Sequence, residues 1–157
     1  MKAVFSADLR RRVEDLAAKY PSKSAALLPV LHLVQAESGF IGPDEEESVA
    51  ALLGTTPLEV REVVTFYTMF RRKPVGRYHL QVCRNVSCSL LGGDAILDYV
   101  RKKLGLNVGE TSADGRFTLN TVECLGACEQ APCLMVNFDH YGNLTENRVD
   151  EILGELA

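Results

Sequence analysis

The feature that most constrains this chain is the placement of four of its five cysteines. They form two short pairs, Cys83-x4-Cys88 and Cys124-x3-Cys128, separated by a long segment with helix and strand patterns of its own. Because a reducing compartment keeps thiols free, clustered cysteines in a chain with no sign of secretion are typical of metal ligands and not of disulfides. We therefore expect the fold to bring two cysteine-bearing loops together.

The chemistry of four thiolates favours an iron-sulfur centre. Two irons bridged by two sulfides need four further thiolates, so two loops with two sulfurs each match one 2Fe-2S cluster. Structural zinc also accepts four cysteines but typically uses tighter C-x2-C pairs, and it stays as an alternative. A plant-type ferredoxin needs a third cysteine soon after Cys88, and a Rieske centre needs two nearby histidines; His32, His79 and His140 are not so placed.

The fifth cysteine, Cys133, lies at the same spacing from Cys128 as Cys83 does from Cys88. It follows Pro132 and opens the apolar run Cys-Leu-Met-Val-Asn-Phe, which is typical of a buried strand. We interpret Cys133 as a packed structural thiol and not as a metal ligand.

Composition excludes several classes of function. The net charge of -4 opposes nucleic-acid binding, which usually needs a basic surface. No run approaches the roughly 18 apolar residues of a membrane span, and the chain begins without the apolar block of a signal peptide. We expect a cytoplasmic protein with no membrane insertion of its own.

The chain is predicted to divide near Lys73-Pro74, with a helical bundle over residues 1–73. Apolar residues at three- and four-residue steps predict a first helix capped by Ser6. Further helices are predicted from about 24 to 38, from about 44 to 54, and from Thr56 to about Phe70, with Pro29 bending the second. Short helices need tertiary contacts, which is why a bundle is expected.

Residues 74–157 are predicted to form an α/β domain. Alternating apolar residues predict strands at Tyr78–Cys83 and at 117–122, each ending next to a cysteine pair, and the Cys133 run predicts a third strand to Phe138. One helix should pack its apolar face after the first pair, and a last helix should begin at Thr145 after a turn at 141–143. The predicted fold is a small α/β sandwich with both cysteine loops at one end.

Five segments together resemble a known family, the thioredoxin-like 2Fe-2S subunit of bacterial respiratory complex I, the NADH:quinone oxidoreductase. They are Leu-Leu-Pro-Val-Leu-His-Leu-Val-Gln at 27–35, Val-Val-Thr-Phe-Tyr-Thr-Met-Phe at 63–70, Cys83-x4-Cys88, Gly-Arg-Phe-Thr-Leu at 115–119, and Cys-Leu-Gly-Ala-Cys-x3-Pro at 124–132. The resemblance covers nearly the whole chain and implies an N-terminal helical bundle followed by a thioredoxin-like 2Fe-2S ferredoxin domain. It implies one 2Fe-2S cluster with Cys83, Cys88, Cys124 and Cys128 as ligands. Cys133 stands where the family usually carries an aliphatic or other small residue.

The resemblance also implies a function, which is one-electron transfer beside a flavin-binding, NADH-oxidising partner and other complex I subunits. The protein would then lie in the cytoplasm, peripheral to the inner membrane through the complex. No stand-alone active site and no catalytic residue are predicted, because the chain has neither a dinucleotide fingerprint nor a Walker loop. Two alternative functions stay open: the equivalent subunit of an NAD-linked hydrogenase or formate dehydrogenase, and a zinc-binding interaction module. Formation of a homodimer by the isolated chain also stays open.

Overall fold

The computed structural model describes residues 5–156, which divide into two compact units between Pro74 and Val75. The first unit contains the helices α1 (Ala7–Ala17), α2 (Leu27–Ser38), α3 (Pro43–Leu53) and α4 (Pro57–Phe66). The second unit contains β1 (Tyr78–Cys83), α5 (Val86–Leu90), α6 (Gly93–Leu104), β2 (Phe117–Val122), β3 (Leu134–Val136), β4 (Asp139–Tyr141) and α7 (Glu146–Glu155).

The four helices of the first unit share one apolar core, as the helical spacing predicts. The Ser6 hydroxyl accepts a hydrogen bond from the Leu9 N–H, which confirms the predicted cap of α1. The predicted bend at Pro29 is wrong, because α2 begins only at Leu27, after a short 3-10 turn over Ser24–Ala26. Pro29 therefore lies in the first turn of the helix, where a backbone N–H has no intrahelical acceptor to lose.

The fourth helix ends earlier than predicted, at Phe66 and not near Phe70. The side chain of Gln35 explains the difference, since its amide donates to the Met69 carbonyl at 3.0 Å and accepts from the Arg71 N–H at 2.6 Å. These two bonds hold the segment after α4 against α2. A tertiary contact thus ends a helix that local spacing alone would extend.

The second unit is built on a mixed four-stranded sheet in the order β2-β1-β3-β4. β1 pairs parallel with β2, and Cys83 lies opposite Val122 at the end of that ladder. β3 runs antiparallel to β1, with Val82 opposite Leu134. The carboxyl ends of β1 and β2 and the start of β3 therefore meet at one edge of the sheet.

The helices α6 and α7 bury their apolar faces in the core beside the sheet, which gives the predicted α/β sandwich. Ile96 and Val100 of α6 join Val149 and Ile152 of α7 in the same core. The Thr145 hydroxyl accepts from the Arg148 N–H and confirms the predicted start of α7.

Two elements of the second unit differ from the prediction. The expected strand over 133–138 is instead the hairpin of β3 and β4, which turns at Asn137 with a φ of 55°. Asparagine tolerates this left-handed conformation better than most residues, so it can reverse the chain inside an apolar run. The short helix α5, which carries Cys88, was not predicted, because five residues are too few to show a helical period.

Among residues 5–156, no helix combines the length and apolar character that crossing a bilayer requires.

Candidate metal centre

The edge of the sheet where β1 and β2 end carries both cysteine pairs. Cys83 is the last residue of β1, and Cys124 follows β2 by two positions. Cys88 returns to the same place on α5, where the Asn85 side chain accepts from the Val86 N–H at the start of the helix. The parallel register therefore explains why two segments so distant in sequence meet, as expected from the strand pattern.

Three buried cysteines form the centre of this edge. The Sγ atoms of Cys83, Cys88 and Cys133 all lie within 4.8 Å of one another. The Cys88 and Cys133 sulfurs are 3.6 Å apart, and each of the three residues is at most 2% exposed. Within residues 5–156 this is the group of potential ligands whose donor atoms lie close enough to share a metal ion, and Cys124 and Cys128 lie outside it.

The second pair lies in an exposed loop that packs on the buried sulfurs. Leu125 and Ala127 cover the small core formed by the three buried cysteines and Ala131. The Cys83 thiol also donates to the Glu123 carbonyl at 3.7 Å, directly before the loop. Cys124 and Cys128 are exposed, so the loop presents both of its sulfurs at the surface beside the buried pair.

Backbone geometry shapes this loop at Gly126, which has a φ of 73°. Few residues other than glycine adopt this conformation at low cost. The Gly126 N–H donates to the Cys124 sulfur at 3.3 Å, a bond that would remain available to a thiolate. The loop therefore directs a backbone N–H at the Cys124 sulfur.

The electrostatic surroundings differ among the three buried thiols. Burial disfavours the Cys83 thiolate, but several hydrogen bonds, of which those from the Asn85 backbone and the Cys88 thiol are the largest, together outweigh burial and lower the Cys83 pKa. Burial and the Cys83 side chain raise the Cys88 pKa, while burial and Cys88 raise the pKa of Cys133 to about 12. A cysteine binds a metal as a thiolate. Of these three thiols, Cys83 is the one whose surroundings favour the thiolate.

Sequence reasoning missed two residues of this site. Cys133 is buried, in line with a packed thiol, but its proximity to Cys88 was not foreseen. The antiparallel return of β3 places it there, since the Cys83 N–H donates to the Cys133 carbonyl at 3.1 Å. His140 is the second, because its Nε2 lies 3.3 Å from the Leu125 carbonyl in the exposed cysteine loop. The apolar run after Pro132 indicated that Cys133 is buried, but the pairing of this run with the Cys83 strand is visible only in the structure.

The donor set fits a cluster of irons better than a single hard cation. Its potential ligands are sulfurs, which are soft donors that select zinc, copper or iron-sulfur clusters over magnesium or calcium. Three sulfurs are buried and two are exposed on an adjacent loop, so thiolates can be offered from two sides. Fold and site together define a small thiolate-ligated metalloprotein built on an α/β sandwich.

Comparisons with known proteins define the class more closely. The family model for the thioredoxin-like [2Fe-2S] ferredoxin matches residues 13–157. One NADH-quinone oxidoreductase component of Rhizobium meliloti is 47% identical over 145 residues, covering 92% of this chain and 86% of that protein. Another, from Thermus thermophilus, is 42% identical over 155 residues, covering 97% and 86%. This chain belongs to the thioredoxin-like 2Fe-2S ferredoxin family, and its cofactor is one 2Fe-2S cluster.

Among solved structures, an NAD+-reducing [NiFe]-hydrogenase in the air-oxidized state is similar in fold, with a TM-score of 0.71 and 24% identity. The match covers 83% of this chain but only 22% of the hydrogenase chain. At this identity the likeness describes the fold alone.

Proposed function

We propose that Cys83, Cys88, Cys124 and Cys128 are the ligands of the cluster. Three observations support this set: the burial of the first pair, the packing of the second loop on that pair through Leu125, and the Gly126 N–H at the Cys124 sulfur. Cys133 lies close enough to compete, but the four chosen residues provide two sulfurs on each of two loops. The simplest assignment gives each iron one pair.

We further propose that the protein is the one-electron carrier subunit of an NADH:quinone oxidoreductase. The observation that carries this proposal is the match of nearly the whole chain to relatives named as subunits of that oxidoreductase. The packing of the Cys124–Cys128 loop on the buried cysteines is consistent with it. When bound, a 2Fe-2S cluster accepts and releases one electron, here in exchange with a flavin on a partner subunit. The chain would lie in the cytoplasm, held at the inner membrane through the complex.

The division of labour with a flavin partner has a chemical reason. A hydride from NADH carries two electrons, so an organic cofactor must separate them before a one-electron centre can take part. The residues of this chain would instead hold the thiolates, screen the buried sulfurs from water and supply hydrogen bonds to them. No catalytic residue of its own is proposed for the isolated chain.

A surface for the partner is available beside the first cysteine pair. Three apolar side chains of or next to α5 are strongly exposed, namely Val86 at 65%, Leu90 at 80% and Leu91 at 61%. Exposed apolar residues that cluster in this way are typical of contact sites. We propose that this α5 surface, defined by Val86, Leu90 and Leu91, contacts the flavin-bearing subunit and shortens the path for the electron.

The alternatives from the sequence are less well supported. The likeness to the hydrogenase is one of fold, so it does not favour a hydrogenase or formate dehydrogenase subunit over the oxidoreductase subunit that the more similar relatives name. A zinc-binding module is not favoured, because the chain belongs to a family whose members carry a 2Fe-2S cluster.

The test uses the full chain with its cluster assembled, mixed with NADH and an artificial acceptor, with and without the flavin-bearing subunit. We expect no turnover by the chain alone. When the partner is present, we expect the cluster of this chain to be reduced, which electron paramagnetic resonance detects. Leu90→Glu should slow that reduction, whereas Val108→Glu, an exposed apolar position outside α5, should leave it unchanged. Turnover by the chain alone, after trace flavin is excluded, would contradict the electron-carrier assignment.

A further inference from the structure

We propose that the Cys133 thiol donates a hydrogen bond to the Cys88 sulfur and thereby raises the reduction potential of the cluster. This inference rests on the ligand set proposed above. In this role Cys133 does not bind iron but acts through Cys88.

The first support is distance and burial. The two sulfurs are 3.6 Å apart, within the range of a hydrogen bond between sulfur atoms, and Cys88 and Cys133 are 1% and 2% exposed. Water therefore cannot readily replace Cys133 as the partner of Cys88. A weak donor has more effect in such a place, because the low local dielectric strengthens electrostatic contacts.

The direction of the bond follows from the chemistry of ligation. A cysteine that binds iron is a thiolate and has no proton, so Cys88 can only accept. Cys133 keeps its S–H and is then the donor of the pair. The geometry alone leaves the direction open, and ligation of Cys88 decides it.

The donor is also held in place by the backbone. The Cys83 N–H donates to the Cys133 carbonyl at 3.1 Å, and the Leu144 N–H donates to the Pro132 carbonyl at 3.0 Å. The first bond holds the start of β3 beside the end of β1, and the second ties it to the segment after β4. Cys133 is therefore held beside the first cysteine pair by the backbone directly before β3.

The consequence concerns the electron. Reduction adds one negative charge to the cluster and its thiolates, so a hydrogen bond to a ligand sulfur stabilises the reduced form more than the oxidised form. Removing the donor should lower the midpoint potential. Restoring a donor of similar size should raise it again.

The experiment compares Cys133→Ala with Cys133→Ser in the full chain with its cluster assembled. The two replacements have similar volume and differ in the hydroxyl donor, so packing alone predicts the same potential for both. We expect the midpoint potential of Cys133→Ala to fall below that of the wild type and that of Cys133→Ser to stay above the alanine variant. A second readout is pulsed electron paramagnetic resonance of the reduced protein, in which one proton coupling that exchanges in deuterium oxide should be present in the wild type and absent in Cys133→Ala.

Iron and sulfide analysis of the same samples separates the outcomes. Equal potentials for both variants and an unchanged proton coupling, with the cluster fully retained, would overturn this inference and leave the electron-carrier assignment intact. Loss of iron from folded Cys133→Ala would overturn it in another way, since Cys133 would then be a ligand. A wild-type chain without iron would instead contradict the proposed function itself.

Discussion

At the scale of single residues, Cys128 and Cys133 lie only five positions apart but have opposite surroundings, one exposed and the other buried. We expect Cys128→Ala to lose most of its bound iron because it removes a proposed ligand. Cys133→Ala should keep its iron because a small apolar side chain preserves the packing at the start of β3. Iron content per folded chain, with circular dichroism as the control for folding, checks both variants. Retention of iron in Cys128→Ala together with its loss in Cys133→Ala would mean that the ligand set is wrong.

A buried carboxylate in the first unit gives a second prediction at this scale. The Glu46 side chain is 0% exposed, and its Oε2 accepts from Arg61 Nη2 at 2.7 Å. Its Oε1 has no hydrogen-bond partner among the described residues, so Arg61 provides the main compensation for the buried charge. Arg61→Ala should therefore lower the free energy of unfolding in a urea titration.

The matched control is Arg11→Ala, which removes an arginine from an exposed pair with Asp8. Exposed pairs of this kind contribute little to stability. Equal effects of the two substitutions would show that the Glu46 carboxylate does not depend on Arg61.

At the scale of elements, the close contact between α5 and α6 determines where Cys88 lies. A side chain added at Gly93, the first residue of α6, would come within 2.8 Å of the Cys88 carbonyl oxygen. Gly93→Ala should therefore push α5 away, lower the free energy of unfolding by roughly 1–3 kcal/mol through overpacking, and reduce cluster occupancy. Gly154→Ala is the control, because this helical glycine of α7 has open space around it. Equal stability and iron content in both variants would contradict a tight α5–α6 contact.

Elements also differ in how well the sequence predicts them. The strands β1 and β2 match their predicted bounds, since alternation within a strand is a local property that survives in the fold. The end of α4 differs from its prediction because it depends on a contact with Gln35 of another helix. The hairpin of β3 and β4 was not predicted because it depends on one asparagine, Asn137, in a left-handed conformation.

The candidate site shows the same division between local and long-range information. The two cysteine pairs could be recognised from spacing alone. The place of Cys133 beside Cys88 depends on the pairing of β3 with β1, which a single sequence does not specify.

At the scale of the whole molecule, the four proposed ligands and the core beneath them all lie after Pro74. We therefore predict that residues 75–157 fold alone and assemble the cluster without the helical unit. Iron and sulfide uptake by the truncated chain, compared with the full chain under the same reconstitution, is the measurement. If the truncated chain takes up no iron, the helical unit is needed to complete the fold.

This chain carries one 2Fe-2S cluster, and we propose that its paired cysteines hold it. The most direct test is the iron and acid-labile sulfide content of the purified full chain, measured together with zinc. We predict about two irons and two sulfides per chain, because four thiolates complete the coordination of two irons. One zinc and no sulfide per chain would contradict this claim.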